Sequence, residues 1–210
     1  MTGQLIWIFG ILIILVFILK YLGSSSFKGK SGEAIVKFWV KKFLDPNKYR
    51  IISDVIFKSG DGTTQIDHIV VSEYGIFVIE TKNMKGWIFG SKDSEMWTQK
   101  IYNYSKKFQN PLRQNYKHVM TMRELLGVNK NYIHSIVLFV GDSTFKTEMP
   151  ENVFSNISSC ARYITSKTEK VFDEKQINQV IEKIEKSRLE PSLEVRKQHI
   201  RTVKKIKNNR

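Results

Sequence analysis

The chain has 210 residues, a length that fits one ordinary domain with additional sequence at its ends. Hydrophobic residues make up 41% of it and aromatic residues 12%, which excludes a wholly disordered chain. The single cysteine, Cys160, excludes an intramolecular disulfide framework and a multi-cysteine zinc site. The net charge of +14 is typical of partners such as nucleic acid or an anionic membrane, but +3 lies in residues 1–30, +6 in residues 188–210 and only +5 between them.

An almost unbroken apolar run at the N-terminus, Leu5 to Leu19, predicts a transmembrane helix. Counted to Leu22, it would span about 27 Å as a helix, close to the thickness of the hydrocarbon core of a bilayer. We therefore expect a membrane anchor over residues 1–22 and a flexible linker over residues 23–30. A cleaved signal peptide and a buried core helix are the alternatives. The absence of Lys and Arg before the run disfavours the first, and the terminal position of the run disfavours the second.

The flanks of this run predict its orientation. No Lys or Arg precedes the run, whereas three lysines follow it before residue 31. Because positive charge is retained on the cytoplasmic side, we expect a single-pass membrane protein whose C-terminal domain, residues 31–187, faces the cytoplasm. The lone cysteine agrees with a reducing compartment.

The first elements of the central domain follow from local signals. Ser31 can cap a helix that runs to about Leu44 and is ended by the sequence Asp45-Pro46-Asn47. Residues 49–57 predict a strand, and residues 59–62 predict a tight turn after it.

Residues 64–82 predict a β-hairpin with its turn at residues 72–75. This turn places Asp67 opposite Glu80, and Gln65 opposite Lys82. Residues of the same parity share a face, so the face with the two acids also holds Gln65, Ile69, Val71, Ile76, Val78 and Lys82, and the other face holds Ile66, His68, Val70, Phe77, Ile79 and Thr81. Both faces are mostly apolar, so we expect helices on both sides of the hairpin.

Two carboxylates opposite each other on a largely buried face repel one another, and burial strengthens the repulsion. A divalent cation bound by Asp67 and Glu80 would remove this conflict, because carboxylate oxygens are ligands that Mg²⁺ prefers. Lys82 lies two residues beyond Glu80 and would stabilise charge on a phosphate or orient an attacking water. In the alternative interpretation, both acids are strand-end residues in water and Lys82 only pairs with Glu80.

These residues carry a family resemblance. The segment from Gly32-Glu33 through QIDHIVVSEYGIFVIETKNMKGWIFG, followed by Trp97-Thr98-Gln99 and the sequence NPLRQ at residues 110–114, resembles the nuclease-related domain (NERD), which is itself similar to the PD-(D/E)xK nuclease superfamily. The resemblance covers about residues 31–145. It implies an α/β fold with a mixed central β-sheet flanked by helices, as in restriction endonucleases. It also implies a metal-dependent phosphodiesterase-type site that uses Mg²⁺ or Mn²⁺.

The resemblance also assigns roles to individual residues. Asp67 matches the motif aspartate, and Glu80 and Lys82 match the acid and the lysine of the ExK motif. Glu33 matches a glutamate of the first helix that approaches the site. Asp67 and Glu80 would hold the metal ion. Ile66 occupies the position of the superfamily's proline, which is often missing there.

Further polar and basic residues follow the hairpin. Gln99 and Gln114 match polar positions near the site, with solvent-facing glutamines as an equal alternative. Trp97 and Gln99 are predicted to begin or precede a helix, and Gln114 and His118, four residues apart, to share a helix face. Basic residues interleaved with aromatic ones are candidates for binding phosphates, or else form a solvated helix face: Lys85, Lys100, Lys106, Lys107, Arg113 and Lys117.

The C-terminal third predicts a buried strand over residues 133–140 and an amphipathic helix over residues 173–187. His134 is interpreted as a satisfied strand residue and Cys160 as a small packed one. The basic segment, residues 188–210, has apolar residues at helical spacing. It would lie on anionic lipid, bind nucleic acid or form a frayed tail.

Together, these patterns predict a membrane-anchored nuclease that uses Mg²⁺ or Mn²⁺ to hydrolyse phosphodiester bonds in DNA. Its partners would be nucleic acid, the membrane through residues 5–22, and anionic lipid through the basic segment. The alternative from a different class is a non-catalytic module that tethers nucleic acid or a protein partner to the membrane.

Overall fold

The computed structural model describes residues 42–60, 62–190 and 192–208. The predicted anchor, the linker and most of the predicted first helix, including Glu33, lie outside the described residues. Lys42 and Phe43 are helical, and a turn at residues 46–48 follows them, as the sequence Asp45-Pro46-Asn47 predicts. Within the described ranges, no helix has both the length and the apolar character needed to cross a bilayer.

The described residues after Leu44 form nine strands, four α-helices and one short 3-10 helix. The strands are β1 (Tyr49–Ser59), β2 (Gly62–Ser72), β3 (Gly75–Asn83), β4 (Gly86–Phe89), β5 (Met96–Ile101), β6 (Tyr104–Gln109), β7 (Ile133–Val140), β8 (Ser143–Phe145) and β9 (Val153–Phe154). The helices are α1 (Pro111–Leu126), α2 (Ile157–Thr165), α3 (Glu174–Ser187) and α4 (Leu193–Asn208), with the 3-10 helix at Lys130–Tyr132.

The larger sheet has the strand order β1-β2-β3-β7-β9. Strands β1, β2 and β3 form an antiparallel meander, and β7 runs parallel to both β3 and β9. The predicted hairpin register is confirmed, since Ser72 pairs with Gly75 and His68 with Ile79. The predicted buried strand at residues 133–140 is β7. The mixed α/β architecture is therefore the one predicted.

Helices cover both faces of the larger sheet, as the apolar character of both faces of the hairpin predicts. On one face, α1 and α3 pack against a cluster that includes Ile69, Val71, Ile76, Val78, Met122 and Ile184. On the other face, α2 packs against a cluster that includes Val70, Phe77, Ile79, Ile136, Cys160 and Ile164. Each fully buried aliphatic side chain stabilises the fold by about 1.5–3 kcal/mol, so β3 is held firmly from both sides.

The predicted alternation of faces fails before Asp67. Ile66 packs in the same cluster as Ile69, and Gln65 donates a hydrogen bond to Asp54 instead of lying opposite Lys82. Asp54 has a left-handed backbone (φ 55°) and interrupts the pairing of β1 with β2 opposite Asp67. Beyond this point, the side chains of both strands change face. The prediction that Gln65 and Asp67 share a face is therefore wrong, whereas the residues from Ile69 onwards lie on the predicted faces.

A second sheet, with the order β6-β5-β4-β8, packs beside the larger one. Trp97 and Gln99 lie in β5 and do not begin or adjoin a helix, so that prediction is wrong. Trp97 is buried because it alternates inward along β5, where its ring stacks on Phe139 of β7. The next helix starts only at Pro111, where the Asn110 side chain accepts a hydrogen bond from the Leu112 N–H.

Two further segments were predicted from their patterns. The amphipathic helix at residues 173–187 is α3, which begins after Asp173 with a reciprocal capping box. Part of the basic C-terminal segment is α4, which lies beside β2. There His199 Nδ1 is 3.1 Å from Thr63 Oγ1, and Arg196 pairs with Asp54 at 3.1 Å.

Candidate active site

Glu80 lies on β3, the central strand between β2 and β7, and its side chain is 3% exposed. Its Oε1 atom is 2.5 Å from Lys82 Nζ, and its Oε2 atom is 3.1 Å from His118 Nε2. Both carboxylate oxygens are thus bonded to nitrogen atoms. The interpretation of Glu80 as a strand-end residue in water does not fit this burial, although its pairing with Lys82 does occur.

Helix α1 brings two side chains to this carboxylate. Gln114 and His118 are one turn apart and share the face that looks onto β3, as predicted. Gln114 Oε1 accepts a hydrogen bond of 2.8 Å from Lys82 Nζ, which fixes the ammonium group from a second side. On its far side, His118 Nδ1 is 2.8 Å from Thr64 Oγ1 on β2. The helix therefore positions both the lysine and the glutamate.

Electrostatics explains how a buried carboxylate stays charged here. Burial by itself raises the pKa of Glu80, but the Lys82 ammonium and the hydrogen-bonded His118 ring outweigh it, so the pKa lies below the ordinary value of 4.5. Glu80 is consequently a carboxylate at neutral pH. A hard, anionic oxygen donor is thus present in a site that excludes bulk water.

Asp67 lies where β2 separates from β3. The ladder of paired residues ends at His68 and Ile79, one position before Asp67 and Glu80 would face each other. There the Thr81 N–H donates to Asp67 Oδ2 at 2.8 Å, so a carboxylate takes the position that a backbone carbonyl has in a regular ladder. The half-buried Asp67 carboxylate therefore lies between the two strands, beside the backbone that carries Glu80 and Lys82.

The structure brings together Glu80, Lys82 and Gln114, and it places the Asp67 carboxylate on the backbone N–H of Thr81, the residue between Glu80 and Lys82. Gln99 donates to the Lys85 carbonyl oxygen at 2.8 Å, and so it bonds next to the strand end but not to Glu80 or Lys82. Glu33 lies outside the described residues. Among the residues that the structure describes, no three His, Cys, Asp or Glu side chains converge on one cation position.

The candidate nucleic-acid-binding side chains lie on different elements of the fold. Lys85, Lys106 and Lys107 are exposed on or beside the second sheet, whereas Arg113 and Lys117 are exposed on α1. The Arg113 guanidinium donates to the Asp93 carbonyl oxygen at 2.9 Å, which holds the loop before β5.

Sequence reasoning missed His118 as a partner of Glu80 and Thr64 as the residue bonded to His118. Only the spacing of Gln114 and His118 could have indicated the histidine, because it places both on one face of a helix. No local signal marks Thr64, which the change of face near Asp67 brings to His118. His68 and His134 stay outside the site: His68 is bonded to Ser53, and His134 stacks on Phe77.

The donor set fits a hard divalent cation. Asp67 and Glu80 supply only carboxylate oxygens, and each oxygen retains a second lone pair when it accepts one hydrogen bond. The Lys82 ammonium lies 2.5 Å from Glu80 Oε1, so a metal ion would have to share this carboxylate with the lysine. A metal held there would have Asp67 and Glu80 as its protein ligands.

Comparison with known proteins gives an independent result. The family model described as the nuclease-related domain matches residues 28–140, more than half of the chain. A protein of Bacillus anthracis that is described as uncharacterized is 48% identical over 100 residues, which cover 47% of this chain and 47% of that protein. The aligned chain thus spans about half the length of this relative. No solved structure matches the chain.

Proposed function

The chain belongs to the nuclease-related domain family, and from that premise we propose that it hydrolyses phosphodiester bonds in DNA with the help of Mg²⁺. Family membership supports a nuclease-like function. The observation that carries the proposal further is the buried carboxylate of Glu80, bonded to both Lys82 and His118, with the Asp67 carboxylate bonded to the backbone N–H of Thr81, the residue that follows Glu80.

Each side chain has a distinct task in this mechanism. Mg²⁺ held by Asp67 and Glu80 would supply Lewis-acid activation of a phosphoryl oxygen and of a water molecule. An ammonium group has three N–H donors, and among the described residues the Lys82 group uses one for Glu80 and one for Gln114. The third N–H would bind a phosphate oxygen or the attacking water and stabilise the charge that develops in the transition state.

Two residues act by holding others in place. Gln114 fixes the Lys82 ammonium, and His118 fixes Glu80 while Thr64 fixes the imidazole ring. Such support matters because a displacement of about 1 Å in a catalytic group can reduce the rate about 100-fold. Glu33 is proposed as a further acid that approaches the site.

The setting of this reaction is also part of the proposal. Residues 5–22 would anchor the chain in the membrane with the nuclease domain in the cytoplasm. The basic residues Lys85, Lys106, Lys107, Arg113 and Lys117 would contact the DNA backbone, and the basic C-terminal helix would contact DNA or anionic lipid.

A nuclease assay on the full-length chain in detergent tests the proposal. Plasmid and single-stranded DNA are incubated with Mg²⁺, Mn²⁺ or a chelator, using wild type, Asp67→Asn, Glu80→Gln and Lys82→Met. Glu73→Gln is the matched control. Glu73 also pairs with a lysine, but it lies at the β2–β3 turn, at the opposite end of β3 from Glu80 and Lys82. We expect metal-dependent cleavage in wild type and the control only. Equal cleavage by wild type and Asp67→Asn would refute the assignment.

A second function is favoured by one feature of the same site. Glu80 already has an ammonium partner at 2.5 Å and an imidazole partner at 3.1 Å, so the described cluster is neutralised without a metal. A module that only binds nucleic acid would need nothing more. It would bind DNA with a steep dependence on salt, unaffected by a chelator, and would cleave DNA with none of the metals.

A further inference from the structure

We propose that the outer face of the second sheet, built around Trp87, binds an unpaired nucleic-acid strand, with a base stacked on the indole ring and phosphates bound by Lys100 and Lys146. The inference deepens the proposed function and rests on it for the identity of the ligand as nucleic acid. It adds a substrate class, a single-stranded segment next to the candidate active site.

The second sheet has one buried and one open face. Ile88 and Trp97 point inward to Phe139, and both are fully buried. Trp87, one residue before Ile88, points the other way and is 47% exposed. Among the described residues, the Trp87 indole N–H has no hydrogen-bond partner, whereas that of Trp97 donates to the Ser91 carbonyl oxygen. Trp97 thus belongs to the core, and the Trp87 ring is open to a ligand.

The position of Trp87 on this face is fixed by its neighbours. It pairs with Lys100 on β5 and with Thr144 on β8, so both partners share its face. Gly86 has φ +82°, and a side chain there would begin 2.5 Å from the Lys100 carbonyl oxygen, so only glycine lets β4 approach β5 this closely. Lys146 is held beside the Trp87 ring because its backbone N–H donates a hydrogen bond to the Ile88 carbonyl oxygen.

Two lysines converge on the one ring. Lys146 Nζ is 4.7 Å from the Trp87 ring centroid and Lys100 Nζ is 6.0 Å from it. A cation is attracted to the face of an exposed indole ring, but two ammonium groups near one ring also repel each other. The four strands of this sheet carry three lysines and no acidic residue, and neither Lys100 nor Lys146 has an ion-pair partner among the described residues. A bound polyanion relieves this repulsion.

The ring favours an unpaired strand over a duplex. Stacking needs the open face of a base, and in a duplex those faces are covered by neighbouring base pairs, whereas single strands stack readily on aromatic side chains. When the two lysines turn from the ring to flanking phosphates, they uncover the indole for a base. Hydroxyl groups on the same face, such as Thr144, supply further contacts to the backbone.

The surface is close to the candidate active site along the chain. Strand β3 ends just after Lys82, and Trp87 follows Lys82 by five residues, so the Cα atoms of Lys82 and Trp87 are at most about 18 Å apart. At a rise of about 3.4 Å per nucleotide along one strand, this corresponds to roughly five nucleotides. A strand stacked on Trp87 can therefore extend to Lys82 and Glu80.

Binding is measured by fluorescence anisotropy with the full-length chain in detergent and a chelator, so that cleavage plays no part. The probe is a labelled oligothymidine of about 20 nucleotides, with a blunt duplex of the same length for comparison. The variants are Trp87→Ala, Trp87→Phe, Lys100→Ala and Lys146→Ala. Lys167→Ala is the matched control, because its ammonium lies 4.6 Å from the Tyr163 ring on the opposite side of the larger sheet.

We expect Trp87→Ala to bind the oligothymidine about 5- to 150-fold more weakly, the loss of one stacked base, and Trp87→Phe to retain most of the affinity. Affinity for the duplex should change by less than affinity for the single strand. Each lysine variant should reduce the slope of log affinity against log salt by about 0.7, the value for one lost phosphate contact on a single strand. The Lys167→Ala control should match wild type.

Two results would overturn the inference: oligothymidine affinities of Trp87→Ala and Lys146→Ala equal to wild type, or equal losses of affinity for the single strand and the duplex. The Trp87→Phe and lysine variants give the answer if Trp87→Ala fails to fold. Intact metal-dependent cleavage with unchanged binding refutes only this inference. If the Trp87 and lysine variants bind the single strand more weakly but wild type cleaves no DNA, only the proposed catalysis is refuted.

Discussion

Replacing Lys82 by methionine removes the ammonium group that lies 2.5 Å from Glu80 Oε1 and leaves a carboxylate that is 3% exposed with His118 as its remaining partner. At an effective dielectric constant of about 20, opposite charges 2.5 Å apart attract by about 7 kcal/mol, and the desolvation of both groups offsets part of this gain. Removing one member of a buried pair costs about 3–5 kcal/mol. The Lys82 side chain is 20% exposed and His118 stays in place, so we expect the lower end, about 3 kcal/mol.

The measurement is thermal and urea unfolding of wild type, Lys82→Met, Glu80→Gln and the double variant. For a chain of this size, a loss of about 3 kcal/mol lowers the melting temperature by about 6–12 °C. The double variant has no unpaired charge, so it should lose about 2–3 kcal/mol less than the sum of the single variants.

Lys170→Met provides the control. Its pair with Glu73 has nearly the same length, 2.6 Å, but Lys170 is 70% exposed, so solvent screens the pair and unfolding should hardly change. Burial is the main difference between the two ion pairs. A Lys82→Met variant within about 0.5 kcal/mol of wild type, or additive losses in the double variant, would refute the reasoning.

Three further predictions follow from the same contacts. Added Mg²⁺ should raise the melting temperature of Lys82→Met more than that of wild type, and this gain should vanish when Glu80→Gln is added, because the cation then loses its carboxylate. The lowered pKa of Glu80 stabilises the fold above pH 4.5, so unfolding measured at decreasing pH should show a loss of stability below pH 4.5 that Glu80→Gln lacks. Burial raises the pKa of the Cys160 thiol to about 12, so a disulfide reagent should label this thiol at about pH 8 only in denaturant. Rapid labelling of the native chain would contradict the burial of Cys160.

Local patterns were enough to predict the hairpin. The turn at residues 72–75 fixes the register of β2 and β3, and the apolar run at residues 133–140 becomes the parallel neighbour of β3. Turn chemistry and apolar runs act over a few residues, so a sequence shows them directly. Helices on both faces could be predicted for the same reason, since a strand that is apolar on both sides must be covered on both.

The change of face at Asp67 could not be predicted in this way. It depends on Asp54, a non-glycine residue in the left-handed region, which lies thirteen residues earlier and beside Asp67 only once β1 and β2 pair. Left-handed aspartates are uncommon, and nothing in the local pattern marks this one. The bend places Thr64 on the side of His118, so one backbone angle on β1 alters which residues support Glu80.

His118 shows a second limit of sequence reasoning. Its spacing from Gln114 predicts a shared helix face, but not the element that this face meets. The start of α1 at Pro111, after the Asn110 cap, and the burial of Asn115 against Val78 and Ile136 of the sheet set the rotation of the helix. The partner of Glu80 is therefore a consequence of helix packing and appears only in three dimensions.

The burial of the site also constrains how a substrate reaches it. Glu80 is enclosed by β2, β7 and α1, whereas Lys82, two residues further along β3, is still one-fifth exposed. A phosphate that approaches the end of β3 therefore meets the Lys82 ammonium before it reaches the carboxylate. The same strand end leads through a short connection into β4 and Trp87. Entry at this edge joins the candidate active site to the open face of the second sheet, so a strand bound on that face would be delivered to Lys82 first.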